Sequence, residues 1–111
     1  MPLQEQELAQ VRPSGVAAVV AYSPGADETG IITHVNVSNV HTAGIKFSIF
    51  KDNDGTDADE STSMFFEAVL KKGQTFSQAV WWPMNNPVGT LSVQVDVANG
   101  ATFTFHGSVR T

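Results

Sequence analysis

Apolar and polar residues alternate strictly in the last quarter of the chain, and this alternation limits the fold more than any other feature of the sequence. Every second residue is apolar in residues 91–97, and residues 103–109 repeat the pattern with Gly107 at one of the apolar positions. A strand with one face in a core and the other in solvent produces this period of two. The pattern therefore predicts antiparallel β-sheet buried on one face.

Weaker alternation, interrupted by turn residues, predicts more strands earlier in the chain. They cover residues 16–22, 30–40, 45–49, 63–70 and 75–82. The Pro83–Pro87 region that follows could not lie in a central strand, because proline cannot donate to a sheet ladder. Short strands with turn signals between them are typical of sandwiches. The predicted fold is all-β: an antiparallel, jelly-roll-like β-sandwich of seven or eight strands.

Alternation also assigns residues to the two faces of each strand. In residues 30–40, one face is expected to hold Ile31, Thr33, Val35 and Val37, and the other Ile32, His34, Asn36 and Ser38. In residues 63–70, the side chains expected to point inward are Phe66, Ala68 and Leu70, before a turn at Lys71-Lys72-Gly73.

The last two strands are joined by Ala98-Asn99-Gly100, where the register can be tested. A two-residue loop would place the two apolar sets on opposite faces, whereas a three-residue loop that pairs Val97 with Ala101 keeps them together. We therefore predict a three-residue hairpin, a type I turn with Gly100 in the left-handed conformation.

The first fourteen residues contain too few apolar positions for a stable helix. Leu3, Leu8 and Val11 are widely spaced, and Pro13 and Gly15 end the segment. Because this segment has almost nothing to bury, residues 1–14 are predicted to form an extended N-terminal arm. Residues 15–111 are predicted to form a single β-sandwich domain.

The net charge of −5 comes from one acidic segment. Residues 52–60 contain five of the eleven acidic residues and no basic one, and the rest of the chain is balanced. The six scattered Lys and Arg residues exclude a basic surface for nucleic acid. An EF-hand register would put Phe50 at the first ligand position, so that calcium motif fails. A looser calcium site in this loop stays an alternative, but we favour a solvated hairpin turn without a cation.

The sequence offers no recognisable catalytic or cofactor motif. It has no cysteine, no nucleophile elbow, no metalloprotease motif and no phosphate-binding glycine loop. The three histidines lack further ligands for zinc. No apolar run reaches the roughly 20 residues of a membrane span, and the polar, acidic start is unlike a secretory signal. We expect a protein that is not an enzyme, binds no cofactor and contacts no membrane.

Two adjacent tryptophans are the best candidates for a contact surface. Neighbouring residues on a strand face opposite ways, so one of Trp81 and Trp82 is expected in the core and the other outside. An exposed indole beside Pro83 and Met84 is typical of an interface. The alternative is that the second indole covers one end of the same sandwich.

Several stretches carry a family resemblance: QVRPS at residues 10–14, AYSPGA at 21–26, FSIFKDNDGT at 47–56, GTLSVQV at 89–95 and FTFHG at 103–107. From residue 8 onward the chain resembles small virion structural proteins of tailed phages. Many of these relatives carry a cysteine near Asn39, which is absent here.

The resemblance implies a virion protein, assembled in the host cytoplasm, that decorates the capsid as cement. Its expected partners are the major capsid protein or other virion proteins, and further copies of itself in a homotrimer. The arm, with Leu3, Leu8, Val11 and Arg12, would anchor it. A tail-knob or tail-fibre module stays an alternative, as does a receptor- or glycan-binding module in which Trp81 or Trp82 stacks on a sugar. A cellular carbohydrate-binding or adhesin module is disfavoured because no secretion signal is recognised.

Overall fold

The computed structural model describes residues 4–52, 60–85 and 87–110. This part of the chain contains eight β-strands and a short 3₁₀ turn at Glu60–Thr62. The strands are β1 (Gln4–Val11), β2 (Val19–Tyr22), β3 (Thr29–Asn39), β4 (Ile45–Asp52), β5 (Ser63–Leu70), β6 (Thr75–Met84), β7 (Thr90–Val95) and β8 (Ala101–Arg110).

The strands form two four-stranded sheets that pack face to face. Sheet I has the order β1-β8-β3-β6 and sheet II the order β2-β7-β4-β5. Every neighbouring pair is antiparallel. The prediction of an all-β, jelly-roll-like antiparallel sandwich is confirmed. Pro83 lies in β6, an edge strand, where a missing backbone donor is tolerated.

The core lies between the sheets and is built around Phe47 of β4. Its ring lies 5.5 Å from that of Phe76 and 6.1 Å from that of Phe103, both in the opposite sheet. The alternating residues of β7 and β8 are fully buried, as the sequence predicts; they are Leu91, Val93, Val95, Phe103 and Phe105.

The predicted hairpin between the last two strands is wrong, because β7 and β8 belong to different sheets. The turn itself forms, with Gly100 N–H donating to the Val97 carbonyl at 2.9 Å. Its left-handed residue is Asn99, at φ +59°, and not Gly100. Alternation shows which face of a strand is buried but not which strand lies beside it. A corner between two sheets therefore gives the same sequence pattern as a hairpin.

The predicted faces of β3 are wrong in its first half, because a bulge interrupts the strand. The register of β3 with both neighbours shifts between Ile32 and His34. Ile32 therefore joins Val35 and Val37 in the core, and Thr33 is only half-buried. One extra residue in a strand exchanges the faces on either side of it.

A second bulge corrects the prediction for β5, where Phe66 was expected to point inward. Phe66 is 48% exposed, whereas Phe65 packs against the core. Glu67 has φ +49°, and its N–H donates to the Ser48 hydroxyl at 2.9 Å. This left-handed residue resets the alternation, so Ala68 and Leu70 face the core as predicted.

The N-terminal segment buries more than the sequence indicates. Residues 4–11 form β1, which pairs with β8 along the edge of sheet I. Leu8, Ala9 and Val11 pack against the core, so the expectation that this segment has almost nothing to bury is wrong for residues 8–11. An edge strand needs only a few apolar contacts, because backbone hydrogen bonds to the neighbouring strand also hold it in place. The division of the chain at residue 14 stays a prediction.

Asn39 is a buried polar residue that ties three connections together. Its amide nitrogen donates to the carbonyls of Ala43, at 2.9 Å, and Leu70, at 3.0 Å. Its side-chain oxygen accepts from His41 N–H at 2.8 Å. The Asn39 backbone N–H donates to the Gln74 carbonyl at 3.0 Å. One side chain thus fixes the β3–β4 loop against the end of β5.

We expect Asn39→Ala to lower the free energy of unfolding by about 2–3 kcal/mol, because it leaves buried backbone groups without partners. Ser38→Ala is the matched control, since it removes one exposed hydroxyl contact with Thr75 and should cost about 0.5 kcal/mol or less. Urea denaturation measures both. Equal losses in the two variants would contradict the role assigned to Asn39.

Candidate interaction surface

The N-terminal residues predicted to make contacts are mostly engaged within the chain. Leu3 lies outside the described residues. Leu8 and Val11 are half-buried against the core. Arg12 is exposed, but its Nε donates to the Asn99 carbonyl at 2.9 Å, next to the Asn99 N–H that donates to the Pro13 carbonyl at 2.8 Å. These contacts hold the end of β1 against the turn before β8.

The two tryptophans point in opposite directions, as predicted. Trp82 is buried in the core, with its ring 6.1 Å from that of Phe65. Trp81 is 66% exposed. Only Trp81 is therefore available to a partner, and Trp82 is a structural residue.

The candidate residues do not form one surface. β1 carries Leu8 and Val11, and β6 carries Trp81, yet these strands are the two opposite edges of sheet I. Three inter-strand spacings separate them, which is roughly 14 Å. A partner that covers Trp81 therefore approaches a different side of the sandwich from one that contacts β1.

The outer face of sheet I is polar and nearly uncharged. His34 and His106 are cross-strand neighbours, with ring centroids 6.4 Å apart. His34 Nε2 lies 2.7 Å from the Ser77 hydroxyl, and Gln10 donates to Thr104 at 3.2 Å. A His–Ser hydrogen bond becomes catalytic only in a pocket with a third group that orients the base, and Ser77 is exposed on an open sheet. Among the described residues, no three metal-binding side chains are grouped.

The outer face of sheet II carries a shallow groove of about 360 Å³ that sequence reasoning missed. Phe66 and Val16 are apolar residues of its lining, and the Gln94 amide nitrogen donates to the Val16 carbonyl at 2.9 Å. Asp96, also in the lining, accepts from Lys46 N–H at 2.9 Å. The groove exists because the bulge at Glu67 turns Phe66 outward, which alternation alone could not reveal.

The acidic segment lies largely outside the described residues. Its first residue, Asp52, ends β4 and is 6% exposed. β4 and β5 are antiparallel neighbours, so residues 53–62 connect adjacent strands. The interpretation of this loop as a turn without a cation stays a prediction.

Tyr22 has a buried hydroxyl that, within the described part of the chain, makes no hydrogen bond. Its ring lies against Gly30, where a Cβ would overlap it. Burial raises the pKa of Tyr22 above its ordinary value, and the nearby carboxylate of Glu28 raises the pKa further. The neutral phenol is therefore favoured in the folded state.

We expect Tyr22→Phe to keep or slightly increase stability at neutral pH, because it removes an unpaired buried hydroxyl. As the pH rises above 10.0, the tyrosine of the unfolded chain ionises before that of the folded chain. The wild-type protein should then lose stability that the variant keeps. Urea titrations at neutral and alkaline pH measure this. Because Tyr22 is the sole tyrosine, its absorbance reports the folded-state pKa directly. An unshifted titration would contradict the prediction.

No helix among the described residues is long and apolar enough to cross a membrane.

Comparison with known proteins finds similarity of fold alone. The sequence matches no protein-family model and no curated protein. A structure of the T13 viral particle of infectious bursal disease virus aligns with a TM-score of 0.54 and 11% identity over 97% of this chain and 30% of that chain. A structure of the Gx strain of the same virus aligns with a TM-score of 0.51 and 11% identity over 96% and 29% of the two chains.

A pentameric capsid protein from metagenomic phage sequences aligns over 98% of this chain and 59% of that chain with 9% identity. Its TM-score of 0.37 is too low to indicate a shared fold. The two alignments with TM-scores above 0.5 are to viral-particle structures at 11% identity, so they show a shared fold and no more. This chain spans less than a third of the length of the two infectious bursal disease virus chains.

Proposed function

We propose that this chain is a virion structural protein of a tailed phage: a capsid decoration, or cement, protein that binds the particle surface and associates with copies of itself. The observation that supports this proposal most is the fold, which aligns over 97% of the chain with part of a viral-particle protein. The family resemblance of residues 8–107 adds the phage and the decoration role.

The surface chemistry agrees with a structural role. Protein–protein contacts combine an aromatic anchor with neutral polar groups and water. Trp81 supplies an exposed indole, and the outer face of sheet I supplies hydroxyl, amide and imidazole groups. The proposal includes no catalytic activity and no cofactor. Its partners are the major capsid protein or other virion proteins, and the resemblance adds a homotrimer.

The structure changes how anchoring by the N-terminal segment has to be tested. Deleting residues 1–14 would remove β1 and uncover the core beside Phe103, which pairs with Val11. Such a variant would lose binding by unfolding. Deleting only residues 1–3 keeps all of β1 and removes Leu3.

We expect the purified chain to co-sediment with phage particles that lack it, and a particle map to place it on the shell. The variant without residues 1–3 should keep the melting temperature of the full chain and bind particles at least about tenfold more weakly, a loss typical of an apolar anchor. Absence of the wild-type chain from the particle would overturn the proposal. Normal binding by the shortened chain would show that Leu3 does not contribute to the contact.

A receptor- or glycan-binding module on the tail is the second candidate, and Trp81 is the observation that favours it. An indole that is 66% exposed offers a flat apolar face, and Asn85 is exposed close by in the sequence. In that case the soluble chain would bind host cells, and Trp81→Ala would abolish the binding. A map that places the chain on the tail would decide for this candidate.

A further inference from the structure

β6 is the longest of the four edge strands that the structure describes. β6 ends sheet I, and in the described part of the chain no strand lies along its outer side. An open edge presents backbone N–H and C=O groups that pair with another strand unless the protein protects them. Charges, bulges and short length are the usual protection.

The other three edges are protected by a charged residue or by short length. β1 includes Glu7 and has a register shift beside Leu8. β2 is only four residues long. β5 contains Glu67 in a left-handed conformation inside a bulge. In contrast, the whole of β6 contains no charged residue. Its register with β3 shifts between Ala79 and Trp82, next to Pro83, but residues 75–79 pair with β3 regularly.

We propose that β6 is the contact through which two copies of this chain associate, by antiparallel pairing of β6 with β6 of the second copy. This inference rests on the self-association included in the proposed function and names its surface. The two copies of sheet I would then form one continuous eight-stranded sheet.

The side chains of β6 select a register centred on Gln78. In that register Phe76 lies opposite Val80 of the second copy, and both are half-buried residues that already pack against the core. Pairing would bury the exposed parts of both side chains. Shifting the centre to Ser77 would place Phe76 opposite Gln78, an apolar residue opposite an amide. A register centred between two residues would place core-facing side chains opposite outward-facing ones along the whole pair.

The residues at and around the centre are self-complementary. The Gln78 amide carries both donors and acceptors, so two copies across the axis can each donate and accept. Trp81 lies opposite Thr75, and Ser77 opposite Ala79, on the exposed face. The exposed indole of each copy would thus cover the neighbouring strand and lose its contact with water.

A second copy fits this edge because two β6 strands, neither of which is charged, do not repel each other electrostatically. The contact has two-fold symmetry, so the same patch serves both copies. It predicts an even number of copies. A three-fold contact of the kind that the family resemblance implies would have to use other surfaces, because pairing of β6 with β6 has two-fold symmetry.

Sedimentation velocity of the purified chain over a range of concentrations tests the inference without particles. We expect a reversible monomer–dimer equilibrium. Trp81→Ala should weaken the dimer by at least about tenfold, the effect of losing an aromatic anchor. Val69→Ala is the matched control, because Val69 is 68% exposed on the protected edge β5, and it should leave the equilibrium unchanged.

A charge exchange at the two-fold axis provides a second, independent test. Gln78→Lys and Gln78→Glu each place like charges directly opposite each other, so each variant alone should dimerise at least about tenfold more weakly than the wild type. Mixing the two variants should restore the dimer. Circular dichroism and thermal melting confirm that each variant is folded.

A wild-type chain that is monomeric throughout, or that forms trimers alone, would overturn the inference. A dimer unaffected by Trp81→Ala, or a Lys–Glu mixture that stays monomeric, would overturn it as well. Failure of the proposed function gives a different result, because the chain would then dimerise normally but not bind particles.

Discussion

Replacing Gly107 with alanine should lower the free energy of unfolding by about 3 kcal/mol or more, the range of severe overpacking. A Cβ at this position would overlap the Ile31 carbonyl oxygen and lie 2.9 Å from the Ile31 carbonyl carbon and 3.1 Å from Ile32 Cα. All three atoms are backbone of β3 at its bulge, so no side-chain rotation can relieve the contact. β3 and β8 would have to move apart in the middle of sheet I.

Gly15→Ala provides the control, because a Cβ there would meet no atom within 4 Å. Both variants reduce the flexibility of the unfolded chain by a similar amount, so their difference isolates the contact with β3. Urea denaturation with a common slope gives this difference. Equal stability of the two variants would show that β8 does not approach β3 as closely as the structure indicates.

Phe47→Ala should lower the free energy of unfolding by about 3–5 kcal/mol, the usual cost of deleting a core aromatic side chain. Phe47 is 1% exposed. Its ring lies near those of Phe65, at 6.4 Å, and Phe76, at 5.5 Å, so the loss would open a cavity between the two sheets.

Phe66→Ala is the control for that change and also tests the bulge in β5. Because Phe66 is 48% exposed, its removal should cost about 1 kcal/mol or less. Thermal melting should separate the two variants clearly. A loss of stability in Phe66→Ala as large as in Phe47→Ala would indicate that Phe66 is buried in the core, which would contradict the structure.

The sequence predicts β3 to β8 and the fold class well, because the alternation of apolar and polar residues can be read from neighbouring positions. β5 begins and ends where predicted, and the buried residues of β7 and β8 follow the alternation. The two errors in assigning faces, in β3 and β5, share a cause. At Thr33 and Glu67, register shifts set by neighbouring strands exchange the faces, and no local pattern marks them. Which strands become neighbours is decided by packing over the whole chain.

The contact surface was predictable only in part. Because neighbouring residues on any strand face opposite sides, the sequence alone predicts that Trp81 and Trp82 point in opposite directions. That β6 ends a sheet is a property of topology, which alternation does not contain. One signal was present: residues 73–95 contain no Asp, Glu, Lys or Arg. A long uncharged stretch that includes an edge strand is unusual, since edges are commonly protected by charge.

The pairing of β1 with β8 has a consequence for how this chain folds. β1 is made first, but its ladder partner is made after all the other strands, with Gln4 opposite Val109. Among the described strands, only β4 and β5 are neighbours both in sequence and in a sheet. Such non-local topology slows folding to roughly milliseconds to seconds. Until β8 has emerged from the ribosome, sheet I cannot close, so the sandwich becomes competent for assembly only after Arg110 has been synthesised.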